Sequence, residues 1–313
     1  MEHPYQSEPE LTGLSLAYKN PATTLIADNV MPRVSVKKED FKYKKYPVNT
    51  FIRTANTKVG RKGRAETMDM TCEKILASVD YHALKAEIPL SDVIAASDGD
   101  SPREDKTELV TEGLMLAREL RVANLMQDKN NYENTVALTS GEQFDDKDSS
   151  ALQTLLEAKR SMLIKPNCAI MNSTVLTYLQ THPDFLANYN NAGVATTRGM
   201  ASVEFIKNLL GLKELYIGEA VLDFAHEGQT PDIKNVWGNN IVLFYKNPTA
   251  TPKKGLTFGY TAEYEGRKIQ SYTDPDPGTD GIQTIKATEK LIELIVAPSC
   301  GYLIQNVLSE DAA

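Results

Sequence analysis

Apolar residues recur at helical spacing over one long stretch, Ser101 to about Gln127. Leu109, Leu116, Leu120 and Ala123 form the stripe, and Val110, Leu114 and Ala117 widen it. Ser101-Pro102-Arg103-Glu104 opens the stretch as a capping box with proline at the first helical position. The pattern predicts a rod of roughly 25 residues, about 37 Å long, twice the usual helix length and suited to be the spine of a domain. A second helix is predicted from about Ser150 to Leu163, with Leu152, Leu155, Leu156, Met162 and Leu163 on its buried side. Cys168-Ala169-Ile170-Met171 reads as a short buried strand. Ser173 then caps a short helix through Leu179, ended by His182-Pro183, and Ser202–Leu210 is another, stopped by Gly211. Strands are predicted at Glu214–Ile217, Val221–Phe224, Ile241–Tyr245, Thr257–Tyr264, Ile282–Ala287 and Lys290–Ala297. Asn130–Lys147 and Asp274–Gly278 read as loops.

The N-terminal part is patterned differently. Pro4, Pro9, Pro21 and Pro32 forbid a long helix, so residues 1–32 read as an extended arm with one apolar docking point at Leu25–Pro32. From Arg33 to about Ile88 the chain reads as two strands flanking a Gly-, Lys- and Arg-rich tip. The first strand is Phe41–Tyr46. The second is roughly Cys72–Ile88, with Ile75, Ala77, Val79 and Tyr81 alternating on one face. This extension has no evident core of its own, and an isolated hairpin is marginal in water. The order of long hairpin, spine helix, mixed middle and then mostly strands is α+β, not a doubly wound sheet.

Charge sharpens this picture. Lys37–Arg64 carries Lys37, Lys38, Lys42, Lys44, Lys45, Arg53, Lys58, Arg61, Lys62 and Arg64 against Glu39 and Asp40 alone. The segment is +8 in a chain of net charge −8, which leaves −16 on the remainder. A basic arm without a core must lie on something acidic, and a second copy of the same chain supplies such a surface. The 313 residues fit about two domains or one large one with excursions, and no apolar run is long enough for a transmembrane helix. The first residues lack the basic and apolar regions of a signal peptide. Cys72, Cys168 and Cys300 are scattered and odd in number, which fits a reducing compartment. A pI near 5.2 argues against nucleic-acid binding by the surface as a whole.

Recognisable catalytic chemistry is sparse. There is no P-loop, dinucleotide fingerprint, zincin motif or nucleophile elbow. His3, His82, His182 and His226 are too dispersed for a metal site. Asp223, His226 and Glu227 could ligate a metal or orient a base, but a polar turn between strands explains them as well. Cys168 with His182 could form a nucleophilic pair, or Cys168 could be a buried thiol. Gly60-Arg61-Lys62-Gly63 matches the clamp of KH domains, yet its flanks do not read as helices. Trp237, the single tryptophan, is expected to be a core or subdomain anchor. No catalytic residue, cofactor site or metal site is expected.

These parts in their order resemble the major capsid proteins of tailed bacteriophages, the Hong Kong ninety-seven type coat fold. Ile26-Ala27-Asp28-Asn29-Val30-Met31-Pro32 looks like the junction of N-arm and E-loop, and Val36–Ile88 looks like the E-loop itself. Ser101–Gln127 fits the spine helix. Leu215-Tyr216-Ile217-Gly218-Glu219-Ala220 and Val236-Trp237-Gly238-Asn239-Asn240 resemble the family's strand, small-residue turn and Trp-Gly region. Ala297–Ile304 resembles its C-terminal strand. The resemblance implies an N-arm at 1–35, an E-loop at 36–90, a P-domain with the spine helix at 91–149, an A-domain at 150–250 and return strands of the P-domain at 251–313. It implies a non-enzymatic shell protein forming pentamers and hexamers of an icosahedral head around double-stranded DNA, in the virion and, during assembly, in the host cytoplasm. The contact residues it implies are Lys42, Lys44, Lys45, Arg53, Lys58, Arg61, Lys62 and Arg64 of the E-loop, with Trp237 anchoring the A-domain.

Implied partners are further copies of the chain, a portal and a decoration protein. No membrane is involved. Some relatives carry a long built-in N-terminal scaffold. Here the coat-like pattern begins within the first thirty residues, so a separate scaffolding protein is expected. Some relatives also join an E-loop lysine to asparagine, and Lys58 and Lys62 stand in the corresponding stretch. Two other readings are an encapsulin-type compartment, which shares the fold, and a soluble enzyme using Asp223, His226 and Glu227.

Overall fold

The computed structural model describes residues 6–7, 25–45, 57–65, 67, 72–96, 101–191, 199–224, 232–252 and 255–309. A short strand β1 (Gln6–Ser7) precedes helix α1 (Ala27–Val30), strand β2 (Arg33–Ser35) and the hairpin strands β3 (Asp40–Lys45) and β4 (Glu73–Ser78). Next come β5 (Asp80–Pro89), α2 (Leu90–Ala95), the spine helix α3 (Pro102–Gln127) and β6 (Asn134–Ala137). The middle holds α4 (Ala151–Ser161), β7 (Cys168–Asn172), α5 (Ser173–Thr181), α6 (Pro183–Asn191), α7 (Val203–Leu209), β8 (Glu214–Gly218), β9 (Val221–Asp223), β10 (Ile233–Asn235) and β11 (Ile241–Phe244). Strands β12 (Gly259–Glu263), β13 (Lys268–Asp274), β14 (Ile282–Ile295) and β15 (Gly301–Gln305) follow.

Two sheets carry the α+β architecture. In the first, β14 is the central strand. Strand β5 lines one edge of it, from Ile282↔Pro89 to Leu291↔Asp80. The other edge meets β13 and then β12, whose registers differ by two residues. The offset is absorbed between Glu263 and Lys268, where Glu265 and Gly266 take φ of 64° and 71° as a bulge. Strand β2 adds in parallel to β12. The spine helix packs Val110 and Leu114 onto Ile88, Ile269, Ile285 and Ala287 of this sheet.

The second sheet has the order β6-β15-β11-β7-β8. Its central strands are buried on both faces, which accounts for the unbroken apolar runs at Cys168–Met171 and Ile241–Phe244. Ala169, Met171, Ile241 and Leu243 face helices α4 to α7. Cys168, Ile170, Val242 and Phe244 face the other way, towards Val122, Ala123 and Met126 of the spine and Ile26, Ala27, Val30 and Met31 of the arm. No described helix is long and apolar enough to cross a membrane.

Several expectations are corrected. The return strand is two strands, broken at buried Val79: β4 stays in the hairpin while β5 joins the first sheet. Tyr81 therefore faces out at 66% exposure, not in line with Ile75 and Ala77. Ile282–Ala287 and Lys290–Ala297 are one strand of 14 residues. The spine's buried side is turned from the expected one. Leu109 and Ala117 are exposed, whereas Thr107, Thr111, Arg118 and Glu119 are buried. Ser101 stands at the N-cap without a side-chain capping bond. Asn172, not Ser173, caps α5 by accepting from Val175 N. Pro183 begins a further helix, α6, where only a stop was expected. Sheet membership also crosses the boundaries at 90, 149 and 251. Strand β5 lies with the spine's sheet, while β6 and β15 lie in the second sheet.

Candidate assembly surfaces

The hairpin root is fixed by the pairing of β3 with β4. Register Phe41↔Ala77 and Tyr43↔Ile75 puts these four side chains on one face, against Tyr260, Ala262, Ile292, Leu294 and Val296 of the first sheet. The root thus has a small core on its own chain, contrary to the expectation of none. Lys44 N donates to Pro252 O at 3.2 Å. Glu39 accepts from Lys290 Nζ and Tyr81 Oη, both at 2.7 Å. The Lys290 bond, then the Tyr81 bond, holds the Glu39 carboxyl below its ordinary value.

The opposite face of the hairpin bears Lys42, Lys44, Lys74 and Leu76, the last 65% exposed. At the tip, residues 57–65 are all exposed, and Gly63 N donates to Gly60 O at 2.8 Å across a turn centred on Arg61 and Lys62. Lys58, Arg61, Lys62 and Arg64 are therefore gathered on one exposed turn, and the described residues beside it, 57–60 and 63–65, are not helical. Arg53 lies outside the described residues.

The N-arm docks where two sheets and the spine meet. Glu119, fully buried on the spine, accepts three hydrogen bonds. Ile26 N reaches Oε1 at 3.0 Å, Ala27 N reaches Oε2 at 2.7 Å and Trp237 Nε1 reaches Oε1 at 2.6 Å. Burial pushes this carboxyl up from its ordinary value, and the three donors work against that. A carboxylate so placed satisfies the free N–H groups at the start of α1. About two turns further along the spine, Gln127 accepts from Gly238 N and Asn240 Nδ2, both at 2.9 Å, and donates to Val236 O. Asn172 Nδ2 donates to Gly238 O and Asn239 Oδ1. The Trp-Gly-Asn-Asn motif is thus the seam between the spine and the second sheet. Gly218 is part of it, because the Trp237 indole occupies the space a Cβ there would need. Trp237 itself is buried, with its indole N–H on Glu119.

A partly buried ion network joins the arm, β2, the spine and the first sheet. Arg33 bonds Asp28 at 2.7 Å and Glu263 at 2.6 Å, and pairs with Glu289 at 3.2 Å. Arg267 pairs with Glu289 at 2.7 Å, and Arg118 binds Asp28, Met31 O and Thr261 Oγ1. Burial alone would raise the Glu289 carboxyl, but Arg33 and Arg267 bring it below its ordinary value. None of Arg118, Glu119, Gln127 and Glu289 was singled out from sequence. The available signal was Arg118 inside the spacing Leu114, Arg118, Val122, where only a paired charge survives burial.

The tempting chemistry is dispersed. Cys168 lies on β7 with Sγ 3.8 Å from Glu214 Oε2, and burial pushes its thiol up to about 12, far from a reactive thiolate. His182 is engaged elsewhere, with Ser149 Oγ, Asp146 O and Asp184 N. Asp223 accepts from Asp232 N at 2.9 Å across the β9–β10 ribbon, a turn bond. His226 and Glu227 lie outside the described residues. Among the described residues no three His, Cys, Asp or Glu side chains gather as metal ligands.

A hairpin rooted on a two-sheet body, with a spine helix and a docked arm, is the architecture of tailed-phage coat subunits of the Hong Kong ninety-seven type. The chain aligns over 99% of its length with a phage-related protein from Bordetella bronchiseptica, at a TM-score of 0.76 and 20% identity, covering all of that chain. The capsid of cyanophage P-SCSP1u aligns at a TM-score of 0.59 and 9% identity, covering 93% of each chain. No family model matches the sequence. The major capsid protein of Pseudomonas phage JBD67 is 32% identical over 308 residues, 98% of each chain. The chain belongs to the phage major capsid protein family, and its role is structural.

Proposed function

We propose that this protein assembles with copies of itself, as pentamers and hexamers, into the icosahedral shell of a phage head that encloses double-stranded DNA. The observation that carries this reading is the exposed basic turn at residues 57–65. A turn bearing Lys58, Arg61, Lys62 and Arg64, on a chain that is otherwise acidic, calls for an acidic partner surface. On this reading the distal hairpin, with Lys42, Lys44, Lys45 and Arg53 behind the tip, crosses a neighbouring subunit. Residues 1–35 serve as the arm, the spine's sheet as the P-domain and the second sheet as the A-domain. The protein has no enzymatic activity. It meets a separate scaffolding protein and a portal, and assembles in the host cytoplasm; this reading holds with or without a decoration protein on the shell. An encapsulin-type compartment shares the fold, but the phage relative at 32% identity favours the head.

The test is assembly of the purified chain. Size-exclusion chromatography and negative-stain microscopy should give megadalton particles. Lys58→Glu, Arg61→Glu, Lys62→Glu and Arg64→Glu together should leave a folded subunit that no longer assembles. Normal particles from that variant would remove the role given to the hairpin tip.

A further inference from the structure

One surface beside the hairpin root remains unaccounted for. A groove of about 550 Å³ opens along the edge strand β2. Val34, Val36, Phe41 and Pro252 supply its apolar walls, and Lys37, Lys38 and Lys42 supply its rim. Among the described residues, Asp40 is the one acidic residue that lines it. Among the described residues, β2 is the last strand on its side of the first sheet, and no further described strand of that sheet covers it.

The opposite end of that sheet is a tip of complementary character. Ile94, on α2, is 78% exposed, the most exposed large apolar side chain among the described residues. Leu90 N donates to Gly281 O at 3.0 Å, which seats α2 beside the turn joining β13 to β14. That turn and the end of β13 carry Asp274, Asp276 and Asp280, and α2 carries Asp92, two residues before Ile94.

We propose that the groove along β2 receives the Ile94 tip of a second copy of this chain. The proposal rests on the self-assembly reading and names a contact within it. Within one subunit the two features cannot meet. Strand β2 lies against the part of β12 that pairs with Leu291–Glu293, whereas the tip adjoins Ile282 at the far end of β14. Some ten residues of strand separate them, about 30 Å. Apolar knob and apolar groove, with opposite charges at their rims, match only between different copies. The contact uses different patches on its two sides, so it propagates head to tail and closes into a ring or shell when the rotation permits.

A disulfide trap tests the contact. In a Cys72→Ser background, which removes the partly exposed thiol and leaves buried Cys168 and Cys300, Val36→Cys is combined with Ile94→Cys. Mild oxidation should give a ladder of covalently linked chains on a non-reducing gel, and each single cysteine should not. Particles that form while the double-cysteine chain runs as a monomer would overturn the proposal and leave the shell reading standing. Failure of the parent chain to make particles would count against the shell reading instead. The cysteine pair, oxidised at high protein concentration, decides the contact in that case too.

A charge swap gives a second readout. Lys37→Glu with Lys38→Glu should cut particle yield at least tenfold while far-ultraviolet circular dichroism stays unchanged. Adding Asp92→Lys and Asp276→Lys should restore it. Parent-level yield from the lysine reversal alone, or no recovery on the compensating change, would also overturn the proposal.

Discussion

Glu119 shows how much of this subunit one side chain organises. Its two oxygens take the arm's first helical N–H groups and the indole of Trp237. Glu119→Gln keeps the shape but turns an amide donor towards the Ala27 N–H. Leaving buried donors unmatched costs about 1–3 kcal/mol. Trp237 is the only tryptophan, so its fluorescence reads this site directly. The variant should unfold at lower denaturant concentration by that probe, and an unchanged midpoint would mean that the carboxylate contributes nothing. At this scale the sequence was half legible. Trp237 announced itself as a lone tryptophan beside glycine. Glu119 did not, because a glutamate on a long helix ordinarily faces water, and only its distant partners reveal why it is buried.

Among elements, strand β14 illustrates both what pattern reading captures and where it stops. Its apolar residues read in sequence as two strands, Ile282–Ala287 and Lys290–Ala297, with polar Thr288-Glu289 as the gap between them. Glu289 is buried there because Arg33 and Arg267 arrive from β2 and from the bulge before β13. Such pairing joins residues far apart in the chain and leaves no local period. The split of the return strand at Val79 was missed for a related reason, since alternation continues through a strand that changes sheets. Ion pairing here makes stability depend on acid. The Glu289 carboxyl titrates below its ordinary value in the fold, so its contribution is complete above the unfolded value of about 4.3 and is lost as pH falls through the lower folded value. The melting temperature should hold from pH 7 to about 5 and drop below about 4.3. Glu289→Gln should be less stable at pH 7 and show a shallower acid drop. Parallel pH profiles for parent and variant would exclude this residue as a source of the acid sensitivity.

For the molecule as a whole, the sequence revealed the fold class and the charge division, and the structure adds where each charge sits. The spine, the hairpin root, the A-domain strands and the Trp-Gly seam were legible because local periodicity or an unusual residue marks them. The facing of the root onto its own sheet was not, because Tyr43 and Phe41 among lysines read as an isolated strand. Contacts made through opposed charges should weaken in salt. Raising ionic strength from 0.1 to 1 M shortens the screening length from about 10 to about 3 Å. Light scattering of assembling subunits should therefore fall across that range. Scattering that holds or rises would assign the contacts to apolar surface such as Leu76 and Ile94.

The bulge between β12 and β13 has a mechanical consequence. Tyr264 N donates to Lys290 O there, and the Lys290 ammonium holds Glu39 at the base of the hairpin while lying over the rings of Tyr81 and Tyr264. One lysine therefore ties the kink in the wall to the base of the hairpin. If the hairpin crosses a neighbour as proposed, a coat that alters its curvature at this point must re-aim it at the same time, so bending and lacing are geared together.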